Sequence, residues 1–252
     1  MTAERPLEGQ LAIVTGALGN LGPVWTKALA DAGARVVGID VREGALDGGE
    51  LEAADVTDRA ALDDVAGRYG VPAVLVNNAG IDQPPAAAAR TSLIEDVPTD
   101  DFRRTLDVNL VGTFTATQAF GRLMADAGRG SIVNIGSLYA GIAPDPGLYD
   151  HMDADPPFLK PPAYAASKAA VVNLTRYFAR LWGPRGVRVN ALSPGGVRGD
   201  QDAEFIRKYC ARVPLGRMAE TDDLVGPLLF LATDASRYLT GHELRVDGGF
   251  TA

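Results

Sequence analysis

The 252-residue sequence predicts an α/β fold built on a parallel sheet. Three observations carry that expectation. A short apolar strand at residues 10–15 runs into a glycine-rich turn and then a helical pattern reaching Ala32. Strand-like apolar runs recur at residues 34–40, 73–76, 131–136 and 187–192, with helical periodicity in between. Hydrophobic residues make up 46% of the chain, ample for a large core, and no linker, repeat or low-complexity tract divides it. Residues 1–252 are therefore read as one domain.

The first strand ends in Thr15-Gly-Ala-Leu-Gly-Asn-Leu-Gly22. Glycines in a strand-to-helix turn let the backbone approach a pyrophosphate, and the helix N-terminus adds N–H donors and a favourable dipole. Gly16, Gly19, Asn20, Leu21 and Gly22 are thus candidate dinucleotide contacts. The second strand closes on Asp40, followed by Val41. A carboxylate about 20 residues past the glycines accepts both hydroxyl hydrogens of an adenosine ribose and repels a 2′-phosphate, which favours NAD over NADP. Arg42 is the counterweight, because a guanidinium two residues on can hold that phosphate. Asp55 and Val56 precede a helix expected near residues 58–68. Asp55 suits either an adenine amine or the cap of that helix. The fourth strand opens into Asn77-Asn-Ala-Gly80, where Asn78, Ala79 and Gly80 let a cofactor lie across the strand ends.

Tyr164 and Lys168 stand four positions apart at the start of a long helical pattern. That spacing stacks them on one face, where an ammonium lowers a phenol's pKa from about 10 toward general acid/base range. By itself the pair is equally an exposed Tyr beside a solvated Lys.

Together with Asn109, Ser137, Pro194-Gly195 and Val246-Asp-Gly-Gly249, these motifs resemble the short-chain dehydrogenase/reductase family over essentially the whole chain. The resemblance implies a three-layer Rossmann-like fold, a seven-stranded parallel sheet with helices on both faces. It also implies a nicotinamide cofactor and hydride transfer between a secondary alcohol and a ketone. By position Tyr164 is the acid/base, and Lys168 lowers its pKa and holds the nicotinamide ribose. Ser137 orients the substrate oxygen, and Asn109 anchors a water on the proton relay. Pro194, Gly195 and Val197 complete the cofactor contacts. Helices near residues 100–125 and 163–183 pair across a dimer axis in such proteins, giving a homodimer or homotetramer.

Three departures from the family pattern stand out. Asn20 replaces the middle glycine, a place where Asn's tolerance of positive φ would preserve the turn. The run Pro194-Gly-Gly-Val-Arg-Gly199 lacks the usual Thr, leaving backbone near Val197 to serve. Ser137 and Tyr164 lie 27 positions apart, farther than the family norm. The extra segment, residues 143–162, holds six prolines that favour an extended loop, expected to wall the site. Tyr149, Asp150, His151, Asp153, Asp155 and Lys160 would supply polar groups for a polyhydroxylated or charged substrate, with Gln83, Tyr139, Tyr149 and His151 as candidate contacts. A surface insertion with solvated charges is the plainer reading of any one of them. Residues 199–213 are read as a polar substrate-covering loop in which Arg207 and Lys208 can meet an anion.

Segments such as Ser137-Leu-Tyr-Ala-Gly141 and Pro214-Leu-Gly-Arg-Met-Ala-Glu220 further resemble family members from bacterial sugar-modification pathways. The expectation is an NAD-dependent oxidoreductase of a sugar, cyclitol or related alcohol. Its rivals are an NADPH-dependent reductase of a ketoacyl or polyketide-type ketone and a non-catalytic nicotinamide sensor. The net charge of −8, with no basic run, argues against nucleic acid or an anionic membrane as partner. One cysteine and two histidines argue against a metal site. The leading residues Met-Thr-Ala-Glu-Arg-Pro lack an apolar signal core, so a cytoplasmic enzyme is expected.

Overall fold

A computed structural model describes residues 5–83 and 91–252. Seven strands form one parallel sheet: β1 (Leu11–Thr15), β2 (Arg35–Asp40), β3 (Gly49–Ala53), β4 (Val74–Asn77), β5 (Gly130–Ile135), β6 (Val187–Pro194) and β7 (Glu243–Val246). Their spatial order is β3-β2-β1-β4-β5-β6-β7, so the winding reverses between β1 and β4. Open parallel sheets form a ligand crevice at that reversal, outside the carboxyl ends of the strands.

Helices cover both faces of the sheet, and so the central strands read as continuous apolar runs. On one face Val14, Val76 and Val133 pack against Trp25 and Leu29 of the helix Gly22–Asp31 and Leu228 and Leu231 of the helix Val225–Ala232. On the other, Ile13, Leu75 and Ile132 meet Leu62 of the helix Arg59–Tyr69, Phe120 and Met124 of a helical rod over residues 99–126, and Phe178 and Trp182 of the helix Pro162–Trp182. Each fully buried side chain of this size contributes about 1.5–3 kcal/mol relative to exposure. The rod is helical at Thr99–Leu106, Gly112–Ala116 and Arg122–Asp126, with π-helical turns at Asp107–Val111 and Thr117–Gly121. A π turn adds a residue to the helical repeat and re-aims its side chains. Asn109 sits on the first of them.

Several local expectations are corrected. Asp58 caps the helix Arg59–Tyr69, its carboxylate accepting the N–H groups of Ala60 and Ala61 at 2.9 and 3.1 Å. Asp55 therefore does not cap it, and accepts instead the N–H and hydroxyl of Thr57, both at 2.8 Å. Among the described residues no non-glycine residue has a positive φ, so Asn20 keeps ordinary backbone and only Gly16, at φ +63°, turns left-handed there. Residues 199–213 are not a polar loop throughout. They hold the helix Ala203–Cys210, which is capped by Asp202 and buries Phe205 and Tyr209.

The proline-rich insertion includes a 3₁₀ turn, Pro146–Leu148, and the next helix starts at Pro162 itself, where the missing N–H costs nothing. Its inward side is aromatic. Tyr149 packs on Phe158 and Phe205, with ring centroids 5.0 and 5.6 Å away, inside a third core cluster that includes Leu138, Leu148 and Tyr209.

Candidate active site

A cleft of about 1450 Å³ runs across the carboxyl ends of the strands and is lined from Gly16, Asp40 and Asp55 at one end to Ser137, Tyr164 and Lys168 at the other. Gly16 shows why no larger residue fits the first turn: a Cβ there would lie 2.6 Å from the Ala79 Cα. Asn78 braces the same junction, its amide donating to the Gly16 carbonyl at 2.9 Å and its oxygen accepting the Trp25 indole N–H at 2.8 Å. The helix Gly22–Asp31 has no side-chain cap at Leu21 and starts at the cleft end where Gly19, Asn20 and Leu21 lie. Its Gly22 N–H is taken by the Gly19 carbonyl at 3.1 Å and Pro23 has none, so the helix offers that end its dipole more than the free N–H donors the sequence suggested. Gly22 is buried in the helix start and shapes the turn from behind.

Asp40 closes this end. Its buried carboxylate accepts the Leu18 N–H at 2.9 Å, the Arg42 N–H at 3.0 Å and the Arg42 guanidinium at 3.0 and 3.3 Å. Burial opposes the charge, yet these donors outweigh it and hold the carboxyl below the usual carboxylate range. Arg42, the counterweight seen in the sequence, is thus spent on Asp40 itself, although its side chain is 57% exposed. The glycine cradle, the open helix end and the carboxylate at the β2 terminus fit an adenine dinucleotide. Val41, Asp55, Val56, Ala79, Gly80, Pro194, Gly195 and Val197 also line the cleft.

At the other end Ser137 follows β5, and its hydroxyl accepts the Tyr139 N–H at 3.2 Å. The Lys168 ammonium donates to the Ile135 carbonyl at 2.8 Å and lies 5.7 Å from the Tyr164 ring centroid. Asn109, fully buried, accepts the Ile81 N–H at 2.7 Å and donates to the Ile81 carbonyl at 3.1 Å and the Ser167 hydroxyl at 3.0 Å. Ser167 in turn donates to the Tyr164 carbonyl at 2.7 Å. One amide so ties the segment after β4 to the N-terminal turns of the helix Pro162–Trp182.

The pKa of Tyr164 departs from the expected direction. Burial pushes the phenol up, the charge of Asp82 adds to this, and the Ser137 side chain works the other way. Lys168 does not offset it, being at ring distance and bonded to a carbonyl. Burial also draws the Lys168 ammonium down to about 8, against the pull of Asp82.

With this geometry in place, the comparisons decide the family. A family model described as Enoyl-(Acyl carrier protein) reductase matches residues 16–251. Galactitol 2-dehydrogenase (L-tagatose-forming) of Cereibacter sphaeroides is 37% identical over 97% of this chain and 96% of its own length. The chain belongs to the short-chain dehydrogenase/reductase family. Among solved structures, a short chain dehydrogenase from Leptospira borgpetersenii with bound NAD+ superposes with TM-score 0.88 at 32% identity, covering 100% of this chain and 96% of that one. A gluconate 5-dehydrogenase from Burkholderia cenocepacia in complex with NADP and tartrate gives TM-score 0.84 at 32% identity, covering 98% and 97%. This short-chain dehydrogenase/reductase is accordingly an NAD(P)-dependent oxidoreductase acting on CH–OH and C=O groups. No helix among the described residues is long and apolar enough to cross a membrane.

The expected polar wall of this short-chain dehydrogenase/reductase is built differently. Among the described residues, Gln83, Tyr139, Tyr149 and His151 do not line the cleft. Tyr139 and Tyr149 bury their hydroxyls against each other at 3.2 Å. His151 bonds Asp202 at 2.9 Å and meets Lys208 at 3.3 Å, and Lys208 also pairs with Asp150. Arg207 pairs with Glu204. His151 and Asp150 thus clamp the insertion to the helix Ala203–Cys210 and its cap, while the Arg207 pair stays within that helix. Lys160 is the exception: it pairs with Asp82 and donates to the Gln83 carbonyl at 3.2 Å. Asp82, Thr57, Arg103 and Thr221 line the cleft without having been singled out in the sequence. Asp82 stands two residues past Gly80, a position the Asn-Ala-Gly motif could have flagged.

Proposed function

We propose that this enzyme uses NAD to interconvert a secondary alcohol and ketone on a sugar, cyclitol or related polyol. The convergence of Ser137, Tyr164 and Lys168 at one end of a cleft closed at the other by Asp40 carries the reading. In oxidation the Tyr164 phenolate takes the proton of the substrate hydroxyl, and in reduction the phenol returns it. The Ser137 hydroxyl bonds the same oxygen and orients it. Lys168 would hold the nicotinamide ribose, while Asn109 is a positioning residue fixing Ile81 and the helix start. When bound, the nicotinamide supplies the hydride chemistry. Asp40 favours an unphosphorylated ribose, and the galactitol dehydrogenase relative supports a polyol substrate.

The enzyme is expected in the cytoplasm as a homodimer or homotetramer. Val111 and Phe114 on the rod and Tyr177 and Leu181 on the helix Pro162–Trp182 leave an exposed apolar face that suits such pairing. The test is nicotinamide absorbance with NAD or NADP against polyols, cyclitols and an acetoacetyl thioester. NAD-linked oxidation of a polyol supports the proposal. NADPH-linked reduction of the thioester without polyol turnover overturns it.

A further inference from the structure

Asp82 and Lys160 lie 78 residues apart in sequence and meet beside the reacting end of the cleft. Asp82 lines the cleft with Ser137 and Tyr164. Its backbone is set by the preceding residue, because Asn109 holds both the N–H and the carbonyl of Ile81. Lys160 arrives from the insertion between Pro157 and Pro161, which stiffen its approach. Its side chain is 7% exposed, its ammonium lies 5.2 Å from the Tyr164 ring centroid, and it donates to Asp82 Oδ2 and the Gln83 carbonyl. Lys160 is absent from the cleft surface, whereas Asp82 is on it.

An ionised carboxylate offers about four acceptor positions. The Lys160 ammonium takes one on Oδ2 and the Gln83 N–H takes one on Oδ1, at 2.8 Å. The remaining capacity is all acceptor, and acceptors next to a carbinol site recognise hydroxyl groups. A substrate carboxylate would meet Asp82 first, with the neutralising ammonium behind it.

We propose that Asp82, held in place by Lys160, selects the substrate: it accepts hydrogen bonds from a hydroxyl neighbouring the reacting carbon and discriminates for neutral polyols against sugar acids. The inference rests on the polyol reading above and sharpens it. Lys160 is the positioning residue and Asp82 the specificity residue.

The test compares kcat/KM for galactitol, gluconate and cyclohexanol with NAD, each at its pH plateau, together with calorimetric binding of galactitol and gluconate to the NADH-loaded enzyme. The wild type is expected to prefer galactitol over gluconate. Asp82→Asn is expected to lower the galactitol-to-cyclohexanol ratio of kcat/KM by about tenfold or more, the worth of a hydrogen bond to a charged group, and to narrow the galactitol-to-gluconate ratio. Lys160→Met is expected to raise the galactitol KM more than it lowers kcat, with Lys160→Arg restoring part of it. Galactitol oxidation whose ratios are unmoved by Asp82→Asn overturns the inference while the polyol function stands. Preference of the wild type for gluconate, or absence of galactitol binding and turnover, also overturns it. Turnover confined to an acetoacetyl thioester with NADPH overturns the polyol function itself.

Discussion

Asp40→Asn tests how the cofactor is chosen. The substitution keeps the shape and one acceptor oxygen, removes the charge, and releases the Arg42 guanidinium now bonded to both carboxylate oxygens. A ribose hydroxyl bonded to a carboxylate is worth about 1.5–3 kcal/mol, so NADH affinity should fall about 10- to 100-fold. A 2′-phosphate set about 5 Å from a carboxylate costs about 3 kcal/mol per unit charge at an effective dielectric of about 20. Removing that repulsion while freeing Arg42 should tighten NADPH binding, giving a combined selectivity change of about 100-fold or more. Titration of cofactor fluorescence or calorimetry measures both dissociation constants. In the double variant Asp40→Asn with Arg42→Ala, the NADPH gain should largely disappear. Parallel loss of both cofactors in Asp40→Asn, or a wild type that already prefers NADPH, would refute the reasoning.

Other outcomes follow from the same geometry. Gly16→Ala forces a Cβ to 2.6 Å from the Ala79 Cα at a left-handed φ, so it should destabilise the fold by about 2 kcal/mol or more and weaken cofactor binding, read by thermal melting and titration. Phe158→Ala empties a buried aromatic site against Tyr149 and should cost about 3–5 kcal/mol locally, seen as faster proteolysis within residues 143–162. Because burial raises the Tyr164 pKa, the phenolate needed for oxidation grows as pH rises. Oxidation kcat/KM should therefore climb from neutral into alkaline pH, whereas reduction, which uses the phenol, should stay level until pH approaches the raised pKa; a flat oxidation profile between about pH 6 and 9 would contradict this. Leu181→Asp should shift the mass measured by light scattering toward the monomer if the exposed helical face is an interface.

Much of the scaffold is legible because its signals are local. The turn after β1, Asp40 at the β2 end and the Tyr164–Lys168 spacing each express a backbone rule within a few residues, and the structure brings them to one cleft. What escapes the sequence depends on distant partners. The helix Ala203–Cys210 looks polar until its Phe205 and Tyr209 find the insertion's Tyr149 and the cluster around it. His151 and Asp150 read as polar groups for a substrate, but Asp202 and Lys208, about 50 to 60 residues on, take them up. The direction of the Tyr164 shift follows from its burial, which spacing on a helix does not report. Asn20 needs no special conformation because Gly16 alone makes the left-handed turn.

The central claim is that Tyr164 moves the proton. Tyr164→Phe removes only the hydroxyl, leaving the ring beside Lys160 and Lys168. The decisive measurement is turnover of the best alcohol substrate by this variant, paired with its NADH affinity. Turnover should fall by at least about 100-fold, within the usual contribution of general acid–base catalysis, while cofactor affinity stays within about threefold of wild type. Retention of wild-type turnover with cofactor bound normally would contradict the assignment.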